Sequence, residues 1–221
     1  MALSGILGIG IGDTAFLQAL PTLGVSQTLV MDKLSPVVVT LLAWWTLGER
    51  LQPMQLLGMA LTVLGVILAV TEPLTMGGKR RRFWQGLAWG SLYALAQGAS
   101  VVLARAALAG SDISPRWSAT ISLTAGLLVL SWGLRRNAWD IRRLPLKWLP
   151  VIAMTAFLST YLGLWLQQLA LKWMPAGIAQ TLSSTSPLFG LLWAWAGGEP
   201  VSRRSWLGVA LALVGCSLVL P

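Results

Sequence analysis

Eight long apolar runs divide the chain, at about 2–22, 26–48, 53–71, 84–109, 117–134, 147–172, 176–198 and 205–221. A helix needs roughly 20 apolar residues to cross ~30 Å of hydrocarbon. In lipid every backbone N–H and C=O has to be satisfied within the protein, and an apolar run of this length does so as a helix. The runs are too long for barrel strands and lack an alternation of period two. The expected fold class is an all-α polytopic membrane protein with about eight transmembrane helices. Composition agrees: 56% of residues are hydrophobic and 10% charged, against about 25% charged in soluble domains.

The bilayer is thus the first partner implied. The net charge of +9 does not imply nucleic acid, because the positive residues form short clusters between apolar runs, as in Lys79 to Arg82 and Arg135-Arg136. Such clusters read as membrane flanks. Trp84, Trp117, Trp148, Trp173 and Trp206 stand near run ends, where aromatic belts form. With no histidine and one cysteine, Cys216, the chain lacks the commonest general base and the commonest metal ligand. No nucleotide-binding motif is present. An enzyme is not expected, nor is a cofactor or metal. Nothing in the sequence fixes a homo-oligomeric state.

The chain also repeats itself. Shifted by 151, residues 12–44 fall on 163–195: Gly12 meets Gly163, Ala19-Leu20 meets Ala170-Leu171, Ser35-Pro36 meets Ser186-Pro187, and Trp44 meets Trp195. After a one-residue gap the offset is 150. Gly48-Glu49 then meets Gly198-Glu199, Leu57-Gly58 meets Leu207-Gly208, and Gly65 meets Gly215. Each copy holds three runs, and two more precede the second copy. A five-helix unit has an odd number of passes, so tandem copies would lie in opposite orientations. Inverted repeats characterise transporters, with the site near the midplane at the repeat interface.

These ordered elements resemble the drug/metabolite transporter superfamily, in particular its EamA-like domain. The resemblance rests on Gly12-Asp13, Ala19-Leu20, Ser35-Pro36, Gly48-Glu49, Leu57-Gly58 and Gly65, with the second set Gly163, Ala170-Leu171, Ser186-Pro187, Gly198-Glu199, Leu207-Gly208 and Gly215. It covers essentially the whole chain. It implies a 5+5 inverted-repeat fold, with residues 1–72 as the last three helices of a first repeat and 83–221 as a complete second one. On that pattern about two N-terminal helices are absent. The implied function is a secondary transporter, an exporter of small metabolites, amino acids or drugs, with a proton as a candidate coupling ion. The alternative is a truncated, non-transporting remnant or assembly subunit that needs the missing helices.

Orientation has two readings. One side carries Arg50, Arg116 and Lys172. The other carries Lys79 to Arg82, Arg135, Arg136, Arg142, Arg143, Lys147, Arg203 and Arg204. By the positive-inside bias the second side is cytoplasmic and the C-terminus outside; the resemblance implies a cytoplasmic C-terminus. The charge bias, which belongs to this sequence, is given more weight.

Polar residues inside the runs are the candidate site. An Asp at the bilayer centre costs ~2.5–3.5 kcal/mol on insertion scales, so Asp13 should face protein or water, as a coupling group, a cation contact or a structural hydrogen bond. Asp32 belongs to the polar stretch before Pro36, and Ser183 and Ser184 to the one before Pro187. There proline removes an N–H; either nearby hydroxyls only re-satisfy the backbone, or two kinked helices line a cavity from opposite halves, and Lys33 could snorkel to an interface. Three helical stripes should point inward: Tyr93, Gln97 and Ser100; Tyr161, Trp165 and Gln168; Gln180, Ser183, Ser184 and Pro187. As a lining they suit a small polar or zwitterionic solute; as interhelical hydrogen bonds they need no ligand. Gly58, Gly65, Gly208 and Gly215 are expected to let helices pack closely. Glu49 and Glu199 are expected to cap the helices that follow them, at Pro53 and Ser205.

Overall fold

The computed structural model describes residues 1–23, 25–70, 80–134, 149–197 and 202–219. Among them the secondary structure is helical throughout. Helix α1 runs over Ala2–Leu23 and contains a π-helical stretch, Ile6–Gly12. Two short helices follow, α2 (Val25–Asp32) and α3 (Ser35–Leu47), then α4 (Pro53–Val70), α5 (Arg80–Leu108) and α6 (Pro115–Leu134). Helix α7 joins Leu149–Ala156, a π-helical Phe157–Leu162 and Gly163–Trp173. The chain ends with α8 (Ala176–Ser183), α9 (Ser186–Ala196) and α10 (Arg203–Val219). Ala2–Leu23, Phe83–Leu108 and Pro150–Trp173 are long and apolar enough to cross a membrane, with shorter apolar helices at Ser35–Leu47 and Pro53–Leu68.

Two runs expected as single kinked helices are instead broken into half-helices, and the hydrogen bonds say why. Pro36 has no N–H to return to the Asp32 carbonyl. The N–H groups of Val37 and Val38 both go to the Leu34 carbonyl, at 3.1 Å, and Leu34 N–H turns back to Met31. The helix therefore stops at Asp32 and restarts at Ser35 with Pro36 in its first turn. The second copy repeats the device: Thr185 N–H bonds to Leu182, Leu188 N–H to Thr185, and Pro187 stands in the first turn of α9.

The internal repeat thus extends to local structure. The π-helical stretches begin 151 residues apart, at Ile6 and Phe157, and the helix breaks fall at 33–34 and 184–185. The half-helices α2 and α8 start at Val25 and Ala176, the same offset.

Helices α4 and α10 cross through their glycines. A Cβ on Gly65 would lie 2.7 Å from the Gly208 carbonyl oxygen and overlap Ala212; one on Gly215 would lie 2.6 Å from the Gly58 carbonyl oxygen and overlap Thr62. Later residues of α4 therefore meet earlier residues of α10, so the two run antiparallel. The contacts are reciprocal under the 150-residue offset. Backbones this close are reached only without side chains at the crossing. Val66, Val209 and Ala212 are buried beside it, with Leu188 from α9.

Elsewhere α1 lies against α5 and α6, with Gly5 on the Ser122 backbone and Gly8 beside Ser100. The largest apolar cluster joins α3, α5, α7 and α8 through Val39, Ala43, Val101, Leu108, Leu171 and Ala176. It fills one end of the bundle, where α5 turns into α6 at Gly110 (φ 85°) and α3 ends on Gly48 (φ 65°). Gly48 takes the left-handed conformation that side chains disfavour, and the chain then presents Glu49 inward.

Glu49 does not cap the helix after it. Its Oε2 accepts the Ala176 N–H at 2.9 Å, at the start of α8, and its Oε1 accepts Arg105 Nε at 2.7 Å. A carboxylate is favoured at a helix N-terminus, where N–H groups lack partners. The sequence reading chose the nearest helix; the fold brings a distant one closer. Glu199 lies outside the described residues, as do most of the cationic loops behind the orientation argument.

Candidate functional site

A partly open cavity of about 310 Å³ lies between α1, α5, α6 and α7. Its polar lining includes Asp13, Gln97, Ser100, Ser122, Gln167 and Gln168. Asp13 follows the π-helical stretch of α1. Its carboxylate has no hydrogen-bond or ion-pair partner among the described residues, and it faces the cavity. An unpaired carboxylate at membrane depth is tolerated where water or a ligand reaches it.

Several of the remaining polar groups are held by neighbours. Ser100 Oγ donates to the Ser4 carbonyl at 2.8 Å. Ser118 Oγ donates to Gln168 Oε1 at 3.1 Å, and Gln168 is buried. Gln167 Nε2 donates to Gln180 Oε1, also at 3.1 Å. Each amide keeps unused donor or acceptor capacity. The cavity thus offers one free negative charge, amides and hydroxyls, within apolar walls formed by Ile9, Val101, Leu164 and Leu171.

Of the residues singled out in the sequence, Asp13, Gln97 and Gln168 come together here. Gln180 stands behind Gln167, one hydrogen bond away. Asp32 and Tyr93 belong to a different cluster, at the break between α2 and α3. There Tyr93 Oη donates to Asp32 Oδ1 at 2.6 Å, and Lys33 Nζ pairs with Asp32 Oδ2 at 2.5 Å. Phe16 packs on the Tyr93 ring, with centroids 5.1 Å apart. Lys33 is 3% exposed, so it does not snorkel; its counter-ion is the preceding residue. Neither Asp32 nor Tyr93 lines the 310 Å³ cavity.

Tyr161 does not line that cavity. It lines a second cavity, of about 400 Å³, with Ser114, Arg116, Trp117 and Thr120. The Arg116 guanidinium sits over the Trp165 ring, 5.2 Å from its centroid. The stripe Tyr161, Trp165 and Gln168 therefore lies along α6, with Tyr161 and Gln168 lining different cavities. Ser184 is buried and donates to the Thr181 carbonyl at 2.7 Å, a bond within its own helix, and Ser183 is exposed. Neither serine lines the cavity. Gly58, Gly65, Gly208 and Gly215 stand at the α4–α10 crossing. Pro36 and Pro187 stand at the two breaks.

Sequence reasoning passed over Arg105. It lies inside the run 84–109, and an arginine within a membrane-length run demands a partner; that was the signal available. It also underweighted Gln167, which lines the cavity beside Gln168.

The fold and site define a helical membrane protein with discontinuous helices and a polar internal cavity. A family model described as the EamA-like transporter family matches residues 1–71 and 84–220. The chain belongs to the EamA-like transporter family, and so to the drug/metabolite transporter type of membrane protein. A crystal structure described only as that of a protein matches 98% of this chain and 76% of its own, with a TM-score of 0.77 at 19% identity; that likeness concerns the fold. No curated protein matched.

Proposed function

We propose that the chain is a secondary transporter that exports small metabolites, amino acids or drugs by alternating access around the 310 Å³ cavity. Asp13 is the group that contacts a cationic substrate or the coupling proton. The amides of Gln97, Gln167 and Gln168 orient the polar part of the solute, and the apolar walls take its carbon skeleton. The observation that carries this reading is an unpartnered carboxylate facing a partly open polar cavity at the junction of four helices.

Residues 1–72 and 83–221 are read as parts of two inverted repeats, with eight passes, two of them made of half-helices. The common 151-residue offset of breaks and π-helical stretches supports this, as does the antiparallel, reciprocal crossing of α4 and α10. The cavity lies where α1 of the first block meets α5, α6 and α7 of the second, and transporters bind solutes at repeat interfaces.

The test is uptake into, or release from, proteoliposomes holding this chain alone, under an imposed pH gradient, against a panel of amino acids and cationic drugs. Gradient-driven flux is expected for at least one class, and Asp13→Asn should abolish the dependence on the gradient. Equal gradient-driven flux in the Asn variant would remove Asp13 from that role. Absence of flux for the whole panel would count against the transporter reading of the isolated chain.

A further inference from the structure

We propose that Arg105 and Glu49 form a gate that closes the cavity at the end of the bundle where α5 turns into α6. The proposal rests on the transporter reading and adds the contact that must break for that end to open.

Arg105 extends from the last turn of α5. Its Nε donates to Glu49 Oε1 at 2.7 Å, and its Nη1 donates to the carbonyls of Leu171 and Lys172 at 2.8 and 3.0 Å. Those carbonyls end α7 and have no partner within the helix. Glu49, just beyond α3, takes the Ala176 N–H that begins α8. One ion pair therefore joins four elements, with the cation on a helix C-terminus and the anion on a helix N-terminus. Both placements are favoured by the helix dipole.

Its position is that of a closure. Ala104, next to Arg105, and Leu171, whose carbonyl Arg105 holds, both line the 310 Å³ cavity. The cavity wall and the clamp are thus adjacent turns of the same two helices. The link crosses from the first matched block, through Glu49, to α5, α7 and α8 of the second. Rocking one block against the other has to part these groups.

The chemistry favours a switch over cement. A largely buried ion pair seldom stabilises a fold more than apolar residues of the same size, and an apolar cluster already surrounds this one. The side chains keep 17% and 15% of their exposure. Water can therefore enter as the helices part and solvate both charges, which an apolar plug would not allow.

The experiment needs no substrate. Thr160, which lines the cavity, is changed to Cys in a Cys216→Ser background, and proteoliposomes are treated with a membrane-impermeant thiol reagent from each face. A Ser111→Cys reporter, on the α5–α6 turn, identifies the clamp-side face. Glu49→Gln, which keeps an acceptor for Ala176, and Arg105→Met should each raise the clamp-side labelling rate about tenfold, the shift in an open–closed equilibrium that ~1.4 kcal/mol produces. Arg105→Lys should fall between them and the parent. Unchanged labelling with a lowered melting temperature would make the contact structural and overturn the proposal. So would failure of both Glu49→Gln and Arg105→Lys to fold. Because labelling is independent of flux, a chain that transports nothing still returns an answer on the gate.

Discussion

The glycine crossing of α4 and α10 makes the sharpest stability prediction. An ordinary Cβ contact begins at 3.4 Å, whereas a Cβ on Gly215 would lie 2.6 Å from the Gly58 carbonyl oxygen. In Gly215→Ala the helices must therefore separate by at least about 0.8 Å, the difference of those two distances, since Thr62 lies closer still. A gap of that size forfeits a quarter to a half of each dispersion contact along the seam, and overpacking of this kind costs ~1–3 kcal/mol. For a chain of this length each kcal/mol corresponds to about 2–4 °C in melting temperature, so a fall of roughly 2–12 °C is expected for Gly215→Ala, and a similar one for Gly65→Ala. The internal control is Gly163→Ala. No atom lies within 4 Å of its added Cβ, and removing a glycine from a helix interior gains ~0.5–1 kcal/mol. That variant should melt slightly above the parent. Melting is followed by size-exclusion chromatography of detergent-solubilised protein after heating. The double variant Gly65→Ala/Gly215→Ala should lose less than the sum, because the first substitution already opens the crossing. If Gly215→Ala and Gly65→Ala melt together with Gly163→Ala, the close backbone contact is wrong.

Lys33→Met leaves the half-buried Asp32 carboxylate with Tyr93 alone and should cost up to ~3 kcal/mol, the low end for breaking a buried pair, whereas Lys33→Met with Asp32→Asn should recover most of it; the same melting assay decides, and a double variant no better than the single would refute the pairing. Ser118→Ala should cost ~1–3 kcal/mol by leaving the Gln168 amide oxygen unpaired. A neutral result there would mean that Gln168 takes its hydrogen bonds elsewhere.

Much of the fold was legible because its causes are local. Long apolar runs in lipid have one secondary structure, and the matched prolines Pro36 and Pro187 marked where two of them are interrupted, as breaks where kinks were expected. The repeat offset carried the breaks and even the π-helical stretches. The partial reading of the site has an equally physical cause. Spacings of three, four and seven place side chains on one face, but a helix inside a bundle has several neighbours. Tyr161 and Gln168 share a stripe and both meet α6, yet they line different cavities. Arg105 finds Glu49 56 positions away in sequence and the Leu171 carbonyl 66 away. No periodicity reports pairings of that kind; they follow from how α3, α5, α7 and α8 close around their shared apolar cluster.

The pairing of Asp32 with the very next residue has a consequence for how the chain enters the bilayer. Either charge alone at the middle of an inserting helix costs ~2.5–3.5 kcal/mol. Because the two are neighbours in sequence, their attraction needs no other helix to be in place. The segment can leave the translocation machinery as an electrically neutral unit, bringing its own counter-ion with it. Asp13 has no such companion beside it in the sequence.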